Sequence, residues 1–247
     1  MTLLNYIKNN LRKRVLNYSI ENSLGHIPSA LSMFNYIFVL FESDNANGIN
    51  AIIDPSQFNI IIGKPFGAQT YYIIWRYFMM LDLSNVSYGV KHNDISFVDF
   101  SEETLGNALG VASGISYNGK RTWCNISDGA LQMGPTLEAI QFIGYNKQDI
   151  FLTVDFNGTQ LTGEIEEING MCIENAKTLF EINGWTVYII KSKDFSKNNI
   201  KSILNNFKGP LCILVDTIKG EGVQEMEDDP FTWHYKQLRS LDEITIS

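Results

Sequence analysis

Residues 121–158 have the sequence RTWCNISDGALQMGPTLEAIQFIGYNKQDIFLTVDFNG. Apolar runs at 122–126 and 150–154 predict two buried strands, and apolar residues at helical spacing over 135–145 predict a helix between them. A strand, a helix and a strand in this order form a βαβ unit, in which the strands lie parallel and helices cover the sheet. This part of the chain therefore indicates an α/β fold.

The same alternation continues on both sides of this unit. Apolar periodicity predicts further helices over 3–16, 28–42, 68–81, 105–117, 171–182 and 198–206. It also predicts strands over 58–62, 185–190 and 211–216. We therefore predict a doubly wound, mostly parallel sheet with helices on both faces, which forms a single domain over residues 1–247. An acidic, aromatic segment over 221–235 is expected to be an ordered loop at the carboxyl edge of the sheet.

Composition limits the possible partners. With 45% hydrophobic and 19% charged residues, the chain has the balance of a globular protein. A net charge of −8, with no basic stripe among the 19 Lys and Arg residues, argues against nucleic acid and anionic membranes as partners. No apolar run approaches the roughly 20 residues that cross a bilayer, and the N-terminus has no signal-peptide pattern, so we expect a cytoplasmic protein.

The cysteines agree with that expectation. Cys124, Cys172 and Cys212 are odd in number, lie in apolar runs and lack the close pairing of a zinc or redox motif. We expect all three to be buried, reduced packing residues.

Polar residues follow two successive predicted strands. Asp128 and Gly129 come directly after the first, and a turn over 155–158, with Asn157, follows the second. Parallel strands end at one edge of the sheet, so Asp128 and Asn157 can converge on one cation. Carboxylate, amide and carbonyl oxygens suit Mg²⁺ or Ca²⁺, with a phosphate completing the coordination. Gly129 lets the backbone approach that phosphate, and the following helix would direct its N-terminal amides at it.

An Asp-Gly pair after a strand is also an ordinary turn, and it is the second element at Asn157 that favours a site. The region 105–163 resembles the thiamine diphosphate signature of transketolases, which runs from an acid-glycine turn to an asparagine. Asp128 and Asn157 are 29 residues apart, one fewer than is usual in that family. We expect the missing residue to fall in a loop near Gly144 and Tyr145.

Further matches to the family occur in the same order along the chain. They are Gly25-His26 with Pro28 and Leu31, Leu105-Gly106-Asn107-Ala108-Leu109, Leu131-Gln132 with Gly134 and Glu138, and Lys219-Gly220-Glu221-Gly222-Val223 with Met226-Glu227 and Trp233-His234. The resemblance thus covers nearly the whole chain, and it implies that the cofactors are thiamine diphosphate and Mg²⁺ or Ca²⁺.

The resemblance also implies roles for individual residues. Asp128 and Asn157 would bind the metal through side-chain oxygens, and Thr159 would bind it through its backbone carbonyl. Gly129 would donate its N–H to the diphosphate, and Leu105 would pack near the thiazolium ring. Glu138 matches a glutamate that the family uses at its subunit contact.

Two histidines are implied to be catalytic. His234 would bind the diphosphate and lie near the reacting carbon, and His26 would contact the carbonyl or hydroxyl groups of a sugar. An imidazole suits both tasks, because its pKa lies near working pH. Without the resemblance, a histidine such as His26 before a proline is more often a helix-entry residue than a catalyst, and His234 is more often an ordinary loop residue. His92 is a candidate third histidine of the substrate channel, although its distance from Leu105 fits the family poorly.

Several residues depart from the family pattern. Phe66 takes the place of a histidine that hydrogen-bonds to the diphosphate, and Tyr235 takes the place of a glycine after Trp-His. The remaining departures are Ser127 for a glycine, Glu103-Thr104 for a Gly-Ser pair and Met133 for an acidic residue. We therefore expect a reshaped site, whose substrate differs from the usual pentose and hexose phosphates.

In transketolases a glutamate on a second domain activates the cofactor across a dimer interface. Because 247 residues leave no room for a second α/β domain, we expect a separate C-terminal subunit to supply it in an α2β2 heterotetramer. The leading hypothesis is transfer of a two-carbon ketol unit between sugars. The alternatives are a 2-oxo acid decarboxylase or carboligase subunit, and a non-catalytic remnant that acts as a binding or scaffold subunit.

Overall fold

The computed structural model describes residues 3–43, 50–82 and 88–246. Its centre is a six-stranded sheet in the order β2-β1-β3-β4-β8-β7, in which every neighbouring pair is parallel. The strands of this sheet are β1 (Phe58–Gly63), β2 (Phe100–Ser101), β3 (Arg121–Ser127), β4 (Ile150–Phe156), β7 (Thr186–Lys191) and β8 (Leu211–Asp216). A separate antiparallel hairpin joins β5 (Thr159–Gln160) to β6 (Gly163–Glu164).

Helices alternate with these strands. They are α1 (Leu3–Glu21), α2 (Ile27–Phe41), α3 (Ala68–Met79), α4 (Ala108–Ile115), α5 (Gly134–Asn146), α6 (Ile165–Asn169), α7 (Ile173–Ile182), α8 (Lys197–Asn205) and α9 (Gln224–Asp228). Among the described residues, no helix is long and apolar enough to cross a membrane.

Helices cover both faces of the sheet because successive strand side chains point in opposite directions. In β1, Ile60 and Ile62 belong to a core shared with α1, α2, α3 and α8, whereas Ile61 belongs to a second core formed with α4, α5 and α7. β1 is buried along its whole length, as is expected of a parallel strand covered on both faces. The predicted doubly wound α/β fold is confirmed.

Some predicted boundaries were wrong. The helix predicted over 105–117 begins only at Ala108, because Gly106 adopts a φ of 124° that interrupts it. β4 extends through Asp155 to Phe156, so the turn begins at Asn157 rather than at residue 155. Cys124 and Cys212 are buried as expected, but Cys172 is only half-buried at the start of α7; all three are free thiols.

The expected loop near Gly144 is the last turn of α5, which runs on to Asn146. Gly144 packs directly against the backbone of Asn183, so that a Cβ added there would lie 1.7 Å from its carbonyl oxygen. The one-residue difference from the family therefore does not fall in a loop at Gly144 and Tyr145, because both are helical.

Candidate functional site

Four adjacent strands of the sheet end at one cleft. Lys64 follows β1, Asp128 follows β3, Asn157 follows β4, and Lys219 lies three residues beyond β8. The cleft has a volume of about 390 Å³, which suits a small molecule. It is lined by His26, Ser29, Lys64, Pro65, Phe66, Leu105, Ser127, Asp128, Gly129, Asn157, Thr159, Gln160, Leu161, Thr162, Lys219, His234 and Tyr235.

The structure brings together the predicted metal ligands. The Oδ2 atom of Asp128 accepts hydrogen bonds from the backbone N–H groups of Asn157 (2.9 Å) and Gly158 (2.7 Å). Its Oδ1 atom accepts from the N–H of Gly129 at 2.8 Å. Burial raises the pKa of Asp128, and the charge of Lys64 and these three amides oppose that rise.

Each proposed ligand oxygen keeps an acceptor position. A carboxylate has about four acceptor sites, of which the three amides use three at Asp128. The Oδ1 atom of Asn157 accepts one bond, from the N–H of Thr159 at 3.1 Å, and the Thr159 carbonyl accepts one, from Lys219 Nζ at 3.0 Å. One position therefore remains on Asp128 Oδ1, on Asn157 Oδ1 and on the Thr159 carbonyl, and these three oxygens together suit a hard divalent cation.

Asp155 orients one of the predicted ligands, Asn157, by a hydrogen bond. Its Oδ2 atom accepts from Asn157 Nδ2 at 3.2 Å, which leaves Asn157 Oδ1 on the other side of the amide. Asp155 is fully buried and forms an ion pair with Lys64. It also accepts from the hydroxyls of Ser32 (2.7 Å) and Thr217 (2.6 Å). From the sequence, Asp155 was expected in a turn and had no predicted role.

We call Lys64, Asp128, Asp155, Asn157 and Lys219 the polar floor. Within the described residues, the floor brings two cationic side chains to the cleft beside the ligand oxygens. Burial lowers the pKa of Lys64, and it lowers the pKa of Lys219 to about 8, while the charge of Asp128 raises both. Two lysines beside a cation site suit the negative charge of a diphosphate.

His234 links the floor to the outer part of the cleft. Its Nδ1 atom lies 3.2 Å from Lys219 Nζ. Burial lowers the pKa of His234 to about 4, and the charges of Lys219 and Lys64 add to that effect. A neutral imidazole beside an ammonium group accepts its hydrogen bond through Nδ1, which leaves the Nε2 proton as a donor.

His26 lies at the entry to α2 in a strained conformation. Its φ of 55° and ψ of 26° are left-handed, which is unusual for a residue other than glycine. Its backbone N–H donates to the carbonyl of His234 at 3.2 Å, so the two predicted histidines lie side by side. Burial lowers the pKa of His26 to about 4, assisted by His234, Lys219 and Lys64.

Aromatic rings surround His26 and form what we call the aromatic wall: His26, Phe66, Tyr88, His234 and Tyr235. Phe66 stacks on the imidazole with 5.1 Å between ring centroids, and Tyr235 packs edge-on at 4.9 Å. The Tyr88 hydroxyl lies 2.5 Å from His26 Nδ1. The departures Phe66 and Tyr235 thus lie together, whereas Tyr88 was missed because its irregular surroundings gave no pattern to interpret.

Leu105 lies in the turn before α4, where its Cδ1 atom is 3.5 Å from a Cβ built on Gly129. The buried carboxylate of Glu102 fixes this turn. It accepts from the N–H groups of Gly106 (3.3 Å), Asn107 (2.7 Å) and Ala108 (2.7 Å), which are the free amides at the start of α4. Burial raises the pKa of Glu102, and the three amides oppose that rise.

Other sequence candidates lie elsewhere. His92 is exposed in a short turn, where it stacks on Phe100 at 6.0 Å, and it does not line the cleft. Glu138 is exposed on α5, away from the cleft. The helix expected to follow Gly129 directly is first a 3-10 turn (Asp128–Gln132), and α5 begins only at Gly134.

The metal-ligand set is poor in acids. In the described segments, no group of three or more His, Cys, Asp and Glu residues could hold a metal ion. The predicted set contains only one carboxylate, with an amide and a carbonyl as its other members. Such oxygen ligands suit Mg²⁺ or Ca²⁺ and do not suit zinc, which prefers sulfur and imidazole ligands.

Known proteins resemble this chain over most of its length, although no protein-family model matches it. Transketolase-like protein 2 of Bos taurus is 25% identical over 96% of this chain, and human transketolase is 25% identical over 93%. Transketolase-like protein 1 of Macaca fascicularis is 29% identical over 58%. The chain spans 41%, 39% and 25% of the lengths of these relatives, respectively.

Solved transketolases share the fold. The Campylobacter jejuni enzyme superposes with a TM-score of 0.75 at 17% identity, covering 98% of this chain and 43% of that one. A Pichia stipitis transketolase gives a TM-score of 0.71 at 13% identity, covering 90% and 37%. With the curated relatives, these likenesses support a transketolase family member that covers the N-terminal domain of that family.

Proposed function

We propose that this chain binds thiamine diphosphate through Mg²⁺ and acts, with a separate C-terminal subunit, as a transketolase-like transferase. The observation that carries the proposal is the polar floor. Asp128 and Asn157 of the floor line the cleft with the neighbouring Thr159 and two lysines, and Asp128 Oδ1, Asn157 Oδ1 and the Thr159 carbonyl each have one acceptor position left. This combination of hard ligands and cations suits a metal-bound diphosphate.

Residues of the floor, with the neighbouring Thr159 and His234, would hold that group. Asp128, Asn157 and the Thr159 carbonyl would bind the cation, and Ca²⁺ would fit the same ligands. Lys219 and His234 would meet the diphosphate oxygens. The N–H of Gly129 was expected to donate to the diphosphate, but in this structure it donates to Asp128 Oδ1, so Gly129 lines the cleft without a free donor. When bound, thiamine diphosphate would supply the carbanion and the electron sink for cleaving the bond beside a carbonyl.

The aromatic wall would bind the substrate. His26 lines the cleft next to His234, and a neutral imidazole can donate a hydrogen bond to a carbonyl or hydroxyl oxygen. Solved Pichia stipitis transketolases are complexes with fructose 6-phosphate and sedoheptulose 7-phosphate. By analogy, we infer that this chain transfers a two-carbon ketol unit from a ketose to an aldehyde, with no nucleic acid or membrane as partner.

The proposed partner is a separate C-terminal subunit that supplies the catalytic glutamate, in an α2β2 heterotetramer. What supports it is the lining of the cleft: among the described residues that line it, Asp128 is the sole acidic side chain and is assigned to the cation, which leaves the catalytic glutamate to a partner. The three free thiols suit a reducing compartment, and we infer a cytoplasmic location.

One observation favours a second candidate reaction. Phe66 and Tyr235 give the substrate side of the cleft an apolar surface, which suits a short 2-oxo acid or aldehyde better than a polyhydroxylated sugar. The alternative is therefore decarboxylation of a 2-oxo acid, or a carboligation that uses its fragment. Product analysis with a panel of ketoses and 2-oxo acids distinguishes these reactions.

Calorimetry tests cofactor binding. Thiamine diphosphate with Mg²⁺ should bind the chain, and Asp128→Asn should weaken that binding about 100-fold, because a charged ligand contributes about 3 kcal/mol. Glu167→Gln is the matched control, since it removes the same charge from the exposed helix α6. Equal affinity in Asp128→Asn and the wild type would exclude the metal assignment, and no binding by the wild type would favour the non-catalytic remnant.

Turnover tests the histidine and the partner. With a co-expressed C-terminal subunit, His234→Ala should lower kcat by at least tenfold while the melting temperature changes by only a few degrees. Light scattering should give the mass of an α2β2 assembly. Turnover by this chain alone would contradict the split arrangement.

A further inference from the structure

The environment of His26 differs at its two ring edges. On one side, Nδ1 faces the Tyr88 hydroxyl at 2.5 Å, and Tyr88 does not line the cleft. The ring itself does line the cleft. Among the described residues, the other ring nitrogen, Nε2, has no hydrogen-bond partner. The Nδ1 edge of the imidazole is therefore fixed by Tyr88 outside the cleft, and the Nε2 edge is free to bind a ligand.

The protonation of this pair follows from its surroundings. Burial and the neighbouring Tyr235 raise the pKa of Tyr88, so its hydroxyl keeps its proton and can donate it in a hydrogen bond. His26 faces His234 and lies near Lys219 and Lys64, and all three disfavour a second proton on its ring. A neutral ring that accepts at Nδ1 must carry its proton at Nε2.

We propose that Tyr88 is a positioning residue that fixes His26 in the Nε2–H tautomer, so that the ring presents a neutral donor to an uncharged substrate oxygen. Phe66 stacks on the ring with an interplanar angle of 21° and restrains its rotation. The Tyr88 hydroxyl also lies 3.3 Å from a Cβ built on Gly25, so it packs against the segment that holds His26 in its left-handed conformation. The ligand class is a ketone or aldehyde carbonyl, or a neutral hydroxyl.

The identity of this ligand as a substrate rests on the proposed function, whereas the tautomer does not. An Nε2–H donor favours a carbonyl oxygen over a cationic group, because a cation has no acceptor to offer. Loss of the Tyr88 hydroxyl would let the ring exchange between tautomers, and part of the population would then present an acceptor to the cleft.

Nitrogen-15 NMR of histidine-labelled protein tests the tautomer without any cofactor. We expect the wild type to show a protonated Nε2 at His26, assigned with His26→Gln, and Tyr88→Phe to show a mixture of both tautomers. Tyr117→Phe, which removes a hydroxyl from a largely exposed ring, should leave the spectrum unchanged. A wild-type Nδ1–H tautomer, or an identical His26 signal in Tyr88→Phe, would overturn the proposal.

Kinetics test the consequence for the substrate. In the assembled enzyme, Tyr88→Phe should lower kcat/KM about tenfold, while the affinity for thiamine diphosphate with Mg²⁺ stays within twofold of the wild type. An unchanged kcat/KM would contradict the positioning role. If the wild type bound no thiamine diphosphate, the proposed function would fail while the NMR result for Tyr88 would still hold.

Discussion

The polar floor and the aromatic wall share one cleft but are built differently. In the floor, side chains at the ends of adjacent strands are tied by charge and hydrogen bonds, and Asp155 alone accepts from four different donors. In the wall, His26 is held mainly by ring contacts at 4.9–5.7 Å. Under the proposed function, the floor would hold the cofactor and the wall would shape the substrate side of the cleft.

The largest loss of stability is expected from a substitution in the floor. Asp155→Ala leaves Lys64 as an unpaired buried charge, and we expect the free energy of unfolding to fall by about 3–5 kcal/mol. Urea denaturation measures the loss. The double variant Lys64→Met with Asp155→Ala should recover most of it, and a single-variant loss below about 1 kcal/mol would mean that this pair does not hold the floor together.

Glu102 can be compared with Asp155, because its buried carboxylate accepts hydrogen bonds from backbone amides and, within the described residues, forms no ion pair with a lysine. Glu102→Ala leaves three N–H groups at the start of α4 without their acceptor, and we expect a loss of about 1–3 kcal/mol of unfolding free energy. Glu102→Gln keeps an acceptor oxygen and should lose less. Equal denaturation midpoints for both variants would argue against the capping role.

His234, which touches both the floor and the wall, links stability to pH. Its pKa is about 4 in the folded protein and about 6.5 in an unfolded chain. The unfolded state therefore binds the proton first, and stability present above pH 6.5 is lost as the pH falls towards 4. The His234→Gln variant should show a smaller fall over this window in chemical denaturation, and a fall equal to that of the wild type would contradict the lowered pKa.

The smallest effect is expected at the wall. Phe66→His restores a polar ring at the position where the family carries a histidine, and one extra hydrogen bond of about 1 kcal/mol should tighten thiamine diphosphate binding about fivefold. Phe66→Leu is the apolar control and should leave the affinity unchanged. Equal affinity in Phe66→His and Phe66→Leu would show that residue 66 lies outside the reach of the diphosphate.

Sequence patterns predicted the floor better than the wall. The strands could be found because buried parallel strands are continuous apolar runs, and their parallel order placed Asp128 beside Asn157. The ion pair of Lys64 with Asp155 joins residues 91 positions apart, so no local pattern indicates it. Tyr88 lies outside any helix or strand, which removes the periodicity on which such predictions depend.

The ends of helices were also predicted poorly from the sequence. Glu102 precedes its amide donors by four to six residues, a spacing that differs from the usual capping box. The helix predicted from residue 105 therefore started too early. His92 was a candidate for the third histidine of the substrate channel because of its residue type and its position before Leu105. In the structure it lies beside Phe100 on the surface.

The placement of the proposed metal ligands directly after strand ends separates their spacing from changes in chain length. Asp128 and Asn157 are spaced by the register of β3 with β4, in which Ser127 pairs with Asp155. The segment that joins these strands passes through α5 to the opposite edge of the sheet, where β4 begins at Ile150. A residue gained or lost at that edge leaves the distance between the two ligands unchanged, so one cation site can persist in relatives whose connections differ in length.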